Sequence, residues 1–486
     1  MLQLRNSAWA ILISRTVNQR VRALNSAPIR QGANYVLYWA QVNRRAQSNH
    51  ALLRAAEWAN TLSLPLLVYE GLTCTYPHAN DRLHTFILEG VPEQARRFRS
   101  LGAGYCFHLP RTHRDLNDTL YRLAARAAVI VTDQYPVFIA ALHNASVPAE
   151  VDVLYEAVES STIVPMSVFE KREYAAYTIR PKINRVLARY LTHMPAPSLN
   201  RRWRGSPPEF HTEVTASGIG ALVASCEIDH SIAPSISCTG GQLAAEASLR
   251  HFLQINLSRY ARERNQPAAH ATSNSSPYLH FGQISALDIA LAVRSHAAAN
   301  GLVPGEFLEE LIVRRELAFN YASFASPPDS FAHLPEWNRR TLEDHDGDVR
   351  SLVYDYEEFR SARTHDPLWN ACQTELLLRG TIHGYYRMYW GKKIIEWSRT
   401  HAGALATMVR LHDIYALDGR DPNTYTNILW CFGLHDRPWQ ERPIFGKVRY
   451  MSYEGMKRKT GVDAYLREVA HLEQTGVDPF RLRAEI

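Results

Sequence analysis

Cysteine is scarce in this 486-residue chain: six residues, at 74, 106, 226, 238, 372 and 431, with no CxxC pair and no Cys/His cluster at metal-ligand spacing. Such a set neither frames a disulfide-stapled secreted domain nor announces a metal centre, so reduced thiols in a cytosolic protein and no bound metal are expected. No run of eighteen apolar residues occurs, which argues against a helical membrane span. Neither GxGxxG nor a P-loop follows the first strand-like run, and HExxH and GxSxG are missing. Dinucleotide and NTP cradles, zinc-peptidase chemistry and the serine-hydrolase elbow therefore go unannounced. Acidic residues are absent from Met1 to Ala56, where several arginines could suggest an organellar presequence. A hydrophobic segment with a cleavage site is missing there too, so a bacterial-type cytoplasmic protein is the preferred reading.

What is present is a large apolar fraction. At 46% hydrophobic residues the chain can bury an extensive core and divide into at least two domains. A formal charge of +6 gives a mild attraction for polyanions. From residue 35 onward, short apolar runs (YVLYWA, LPLLVY, AGYCFHL, AAVIVT, VDVLY) alternate with amphipathic stretches such as NHALLRAAEWANTL. That alternation predicts a parallel-sheet, Rossmann-like α/β domain over 33–170, preceded by an N-terminal arm, 1–32. Periodicity weakens through Pro- and Ser-containing stretches, read as an interdomain linker over 171–242. Helical periodicity alone follows, so 243–486 is expected to be all-α.

Five tryptophans fall between Asp366 and Tyr450, two of them in the run HGYYRMYWGKKIIEW. Trp390 and Trp397 stand seven apart and so share nearly one helix face, with Trp369 on the preceding predicted helix able to pack beside them. Tryptophans at such spacing are more often core filler than an electron relay. The strings SPYLHFGQIS (276–285), EELIVRREL (309–317), DPLWNACQ (366–373), LDGRDPN (417–423) and LHDRPWQERPIFGKVRYM (434–451), with YVLYWAQ and EYAAYTIRPKI earlier, change that weighting. In this order, over nearly the whole chain, they resemble the class II cyclobutane pyrimidine dimer DNA photolyases.

The resemblance implies a non-covalent FAD in the helical domain, an optional antenna chromophore of unstated identity in the α/β domain, and no iron–sulfur cluster. It assigns Thr272, Ser273 and Ser276 to the FAD diphosphate with Tyr260 flanking it, a job that hydroxyls ahead of a helix suit; taken alone, the residues more often mean an ordinary helix cap, with Ser276 before Pro277. Arg387 and Asp418 match an ion pair beside the isoalloxazine. Trp390, Trp369 and Trp397 match the proximal, middle and solvent-side members of a tryptophan relay. Glu310 matches the acid that hydrogen-bonds the dimer, and Arg264 and Asn265 a pair contacting DNA around the flipped lesion. Tyr385, Met388 and Trp430 match the pocket wall, and Arg437 and Arg449 the arginines turned to the duplex.

Four positions depart from the family pattern. His412, in LHD, stands where asparagine usually faces flavin N5, and an imidazole can titrate where an amide does not. Ser275 replaces a leucine and is expected to loosen packing behind the cofactor. Phe319 replaces an aspartate, and the 430–439 loop is one residue short beside Trp439, both expected to alter substrate preference. The implied activity is light-driven electron transfer from reduced FAD that splits pyrimidine dimers in double-stranded DNA, by a monomer without membrane association. The alternatives are a cryptochrome-like photoreceptor, favoured by His412, and a DNA-binding flavoprotein with altered photochemistry.

Overall fold

The structure, a computed structural model, describes residues 19–115 and 117–481. The first eighteen residues, on which the targeting question turns, lie outside the described residues.

Five of the apolar runs become parallel strands: β2 (Tyr35–Trp39), β3 (Leu66–Gly71), β4 (Gly104–His108), β5 (Ala127–Asp133) and β6 (Tyr155–Val158). They are near-continuously apolar because helices cover both faces: every residue of β2 and β5 is buried. The sheet order is β1-β6-β5-β2-β3-β4, with β1 (Val21–Ala23) pairing antiparallel on the edge beside β6. Three residues carry no readable alternation, which is why β1 escaped the sequence pattern. The VDVLY run enters the ladder only at Tyr155, because Leu154 N and Val153 O bond to Pro28 and Asn25 of the arm.

The helices used below are α1 (His50–Thr61), α2 (Asp81–Leu101), α3 (Phe138–Ser146), α4 (Ala176–Tyr190), α5 (Gln242–His251), α6 (Leu257–Glu263), α7 (Ala286–Asn300), α8 (Arg315–Phe324), α9 (Pro367–Arg379), α10 (Gly384–Trp397), α11 (His401–Tyr415), α12 (Pro422–Cys431) and α13 (Val462–Thr475). Helix α4 and a short helix, Ile219–Ala224, lie within the stretch read as a linker. Caps written in the sequence set several starts: Asn80 accepts from Leu83 N to open α2, Asp366 from Trp369 N to open α9, and Asp421, ahead of Pro422, from Asn423 N to open α12. Each such cap stabilises its helix by about 1 kcal/mol.

One apolar cluster runs from the sheet (Val36, Val68) under α2 into the helical layer (Leu249, Leu287, Ile312), so the two layers share a core. Buried polar groups lock the seam. Arg82 donates to the carbonyls of Leu376 and Tyr415, Tyr135 to the Asp421 carboxylate, and Glu316 accepts from the amides of Ile163 and Val164. Phe319 belongs to this seam: it is buried, edge-on to Tyr135 at 5.6 Å, with Arg315 over its ring at 4.5 Å. Phe319 thus packs between the layers.

Candidate active site

Helices α9 and α10 cross so that the three relay candidates meet inside a second apolar cluster. Trp369 and Trp390 are stacked, centroids 6.1 Å apart and planes within 5°, and Trp369 meets Trp397 edge-on at 6.3 Å. Hydrogen bonds fix the rings: Trp369 Nε1 donates to the Trp390 carbonyl and Trp390 Nε1 to Gln373 Oε1, each at 3.0 Å. Gln373 and the Trp390 carbonyl therefore satisfy donors that would otherwise be costly to bury. Trp397, expected on the solvent side, is only 4% exposed. Tyr354, His365 and the Lys393 ammonium close over it and form the outer end of the array.

At the inner end, the His412 imidazole stands edge-on to Trp390 at 5.1 Å. Its Nδ1 lies 2.9 Å from the Met408 carbonyl, which can only accept, so Nδ1 carries the proton and Nε2 keeps its lone pair. Burial, reinforced by the Arg387 charge, lowers its pKa to about 4. The imidazole, which by its type could carry a proton near neutral pH, is here held neutral. Arg387 Nη2 reaches both oxygens of Asp418, at 3.0 and 3.1 Å. Burial opposes ionisation of Asp418, but Arg387, aided by the Ser276 hydroxyl, outweighs it and holds the carboxyl below its usual range.

Ser276 is the first helical residue of a short turn, Ser276–His280, with Ser275 at the cap position making no side-chain cap bond. The expected cap at Ser276 is thus displaced by one residue, and its hydroxyl serves Asp418 instead. Ser275 is buried and its hydroxyl donates to the Ser273 carbonyl at 3.4 Å, so its polar group is absorbed within the loop rather than loosening it. Thr272 bonds Asn274, which holds a positive φ of 52°. Tyr260 is wedged between Phe252 and Phe307 with Arg264 over its ring. This set fits a planar anionic cofactor. Arg387 Nε is buried without an acceptor, the Arg387–Asp418 pair fixes a charge beside the relay, and the 272–276 loop holds hydroxyls and amides at a helix start.

Arg264 at the end of α6 and Glu310 in the π-helical turn Glu309–Arg314 form an ion pair at 2.8 Å with both side chains partly exposed. Asn265 is exposed beside them, and Tyr385 and Met388 are half-buried on the first turns of α10. Trp430 carries the Arg314 guanidinium over its ring at 5.4 Å. In the shortened loop, Trp439 is 40% exposed, and both Arg437 and Arg449 lie 5.3 Å from its ring centre. The loop thus ends in an exposed indole flanked by two cations.

Sequence reasoning missed His383, which caps α10 by accepting from Tyr385 N while its Nε2 is buried without a partner, and whose pKa burial lowers to about 4. Its cap position before the HGYY run was the available signal. A second omission is tertiary: folding gathers Cys74, His84 and Cys226, residues no local spacing connects.

The DNA photolyase family profile matches residues 36–198. The deoxyribodipyrimidine photo-lyase of Methanothermobacter thermautotrophicus is 40% identical over 455 residues, covering 93% of this chain and 98% of that protein. That of Arabidopsis thaliana is 35% identical, covering 93% of each chain. Among solved structures, an archaeal photolyase from Sulfolobus tokodaii with two FAD molecules superposes with a TM-score of 0.61 at 16% identity, covering 92% of this chain and 95% of that one, a likeness of fold. With relatives this similar along nearly its whole length, the chain belongs to the DNA photolyase family.

Proposed function

We infer that the protein is a class II photolyase, a light-dependent lyase that splits cyclobutane pyrimidine dimers in double-stranded DNA. The observation that carries this reading is the buried array Trp397–Trp369–Trp390, ending at the neutral His412 and the Arg387–Asp418 pair. Thr272, Ser273, Ser276, Tyr260, Arg387 and Asp418 would hold FAD, which when reduced and excited by blue light supplies an electron to the lesion and recovers it after ring opening. Trp390, Trp369 and Trp397 would carry an electron inward from the Tyr354–His365 end of the array, and their dry packing would keep water from the path. His412 offers an acceptor lone pair at its Nε2, not a titrating proton.

Glu310 and Arg264 have the chemistry for the lesion: a carboxyl for the dimer's carbonyl edge and a guanidinium for the adjoining phosphate, pre-aligned by their own ion pair. An extruded dimer needs a stacking surface to offset unstacking, and Tyr385, Met388 and Trp430 supply apolar and aromatic faces. Arg437 and Arg449 suit backbone phosphates, with Trp439 between them suited to the gap left in the duplex. A photoreceptor would have little use for this set of lesion-suited side chains, which weighs against that alternative despite His412.

The antenna is assigned to a cavity of about 490 Å³ at the carboxyl ends of β2, β3 and β5, lined by Trp39, Tyr69, Tyr76, Tyr135, Phe138 and His143. It opens where the sheet order reverses direction, the usual ligand crevice of a doubly wound sheet. Purified protein tests the whole reading. Retained FAD, binding in the dark that prefers a dimer-containing duplex, and restoration of the thymines only under blue light are the expected results. Equal binding of damaged and undamaged duplex would overturn it.

A further inference from the structure

Cys74 follows β3, His84 sits in the first turn of α2, and Cys226 lies just past the short helix Ile219–Ala224. Their Sγ, ring-nitrogen and Sγ atoms all lie within 4.8 Å of one another, and the three side chains are 3%, 0% and 3% exposed. His84 Nδ1 is 3.2 Å from the Tyr76 hydroxyl, while Nε2 is buried and makes no well-formed hydrogen bond. A buried ring nitrogen without a well-formed hydrogen bond is costly and needs a cause. With Nδ1–H donated to Tyr76, Nε2 carries a lone pair, the arrangement by which metal-ligating histidines are commonly oriented.

We propose that Cys74, His84 and Cys226 form a binding site for one thiophilic d10 cation, Zn²⁺ or Cu⁺, with Tyr76 orienting the imidazole. Two sulfurs and one imidazole are the donor set such ions select over harder cations. As thiols, Cys74 and Cys226 donate to the carbonyls of Pro110 and Leu222, and the ion binds their thiolates, displacing whatever protons they still hold. A Cys74–Cys226 disulfide is the rival use of this pair, but it leaves His84 Nε2 without a well-formed hydrogen bond, whereas an ion engages all three groups.

The position gives the site a consequence. Thr73, Thr75, Tyr76 and Leu83, interleaved with the ligands, line the sheet-end cavity. The next residues of α2 reach the helical layer, where Asn80 donates to the Ile414 carbonyl and Arg82 to that of Tyr415. The connecting segment is held to the same turn by His230 on Asp81. An ion here therefore clips the segment around Cys226, the cavity wall and the start of α2 together.

The test uses the full-length protein purified under reducing conditions. Its metal content is measured by mass spectrometry, and after chelation it is titrated with Zn²⁺ against a chromogenic indicator and, separately, with Cu⁺ against a Cu⁺ chelator. One equivalent of one of these ions per chain is expected, with affinity lowered at least about tenfold in Cys74→Ser, Cys226→Ser and His84→Gln. Because a serine in this buried loop can impair folding, Co²⁺ added to the unmutated chain supplies a second readout. A sulfur-to-cobalt charge-transfer band saturating at one equivalent supports the site. No stoichiometric binding of either ion, no such band, or a native Cys74–Cys226 disulfide found by peptide mapping would overturn the proposal.

Discussion

His412 gives the sharpest quantitative test of the site's electrostatics. The unfolded imidazole takes up its proton as pH falls through 6.5, whereas the folded ring, buried and beside Arg387, does so only near about 4. Across that window the unfolded state binds more protons, so stability falls as pH falls, and the contribution is fully present only above 6.5. Working these two values through, His412 should cost the folded chain about 2 kcal/mol between roughly pH 7.5 and pH 5. His412→Asn removes that titration. Urea unfolding of both proteins at the two pH values should therefore show the variant gaining about 2 kcal/mol on the parent at the lower pH. A stability difference that does not change with pH would refute the buried, neutral assignment. The same assignment predicts a flavin photoreduction rate with no inflection near neutral pH.

Three further outcomes follow from the geometry. Trp369→Phe replaces the middle indole by a ring far harder to oxidise and removes the bond to the Trp390 carbonyl; photoreduction should collapse in transient absorption, chemically reduced protein should still repair, and stability should drop by about 1–3 kcal/mol. Arg387→Ala strands the buried Asp418 carboxylate; it should cost about 3–5 kcal/mol in denaturant unfolding and strip the flavin, seen as lost absorbance on gel filtration. Arg437→Ala combined with Arg449→Ala should weaken damaged and undamaged duplex alike and flatten the salt dependence of binding by roughly one unit of slope per lost phosphate contact, read by fluorescence anisotropy.

Much of the sheet was legible because strands buried on both faces leave unbroken apolar runs; β1, at three residues on an edge, leaves none. The Trp390–Trp397 spacing revealed a shared helix face, but the stacking of Trp369 on Trp390 depends on how α9 crosses α10, which no local pattern encodes. His412 was visible as a departure, yet its protonation depends on burial and on a carbonyl one turn back. The packing of Phe319 was hidden because its neighbours, Tyr135 and Arg315, arrive partly from the other layer. Cys74, His84 and Cys226 were invisible as a group for the same reason: their proximity is a product of the tertiary fold.

The central claim is light-driven splitting of a pyrimidine dimer with the help of Glu310. It is tested most directly by chromatographic repair of a thymine-dimer oligonucleotide, using reduced protein under blue light beside a dark control and Glu310→Ala. Repair in the light alone, slowed about a hundredfold in the variant, is the predicted result. Full flavin occupancy with no light-dependent repair, or repair indifferent to Glu310, would contradict the account.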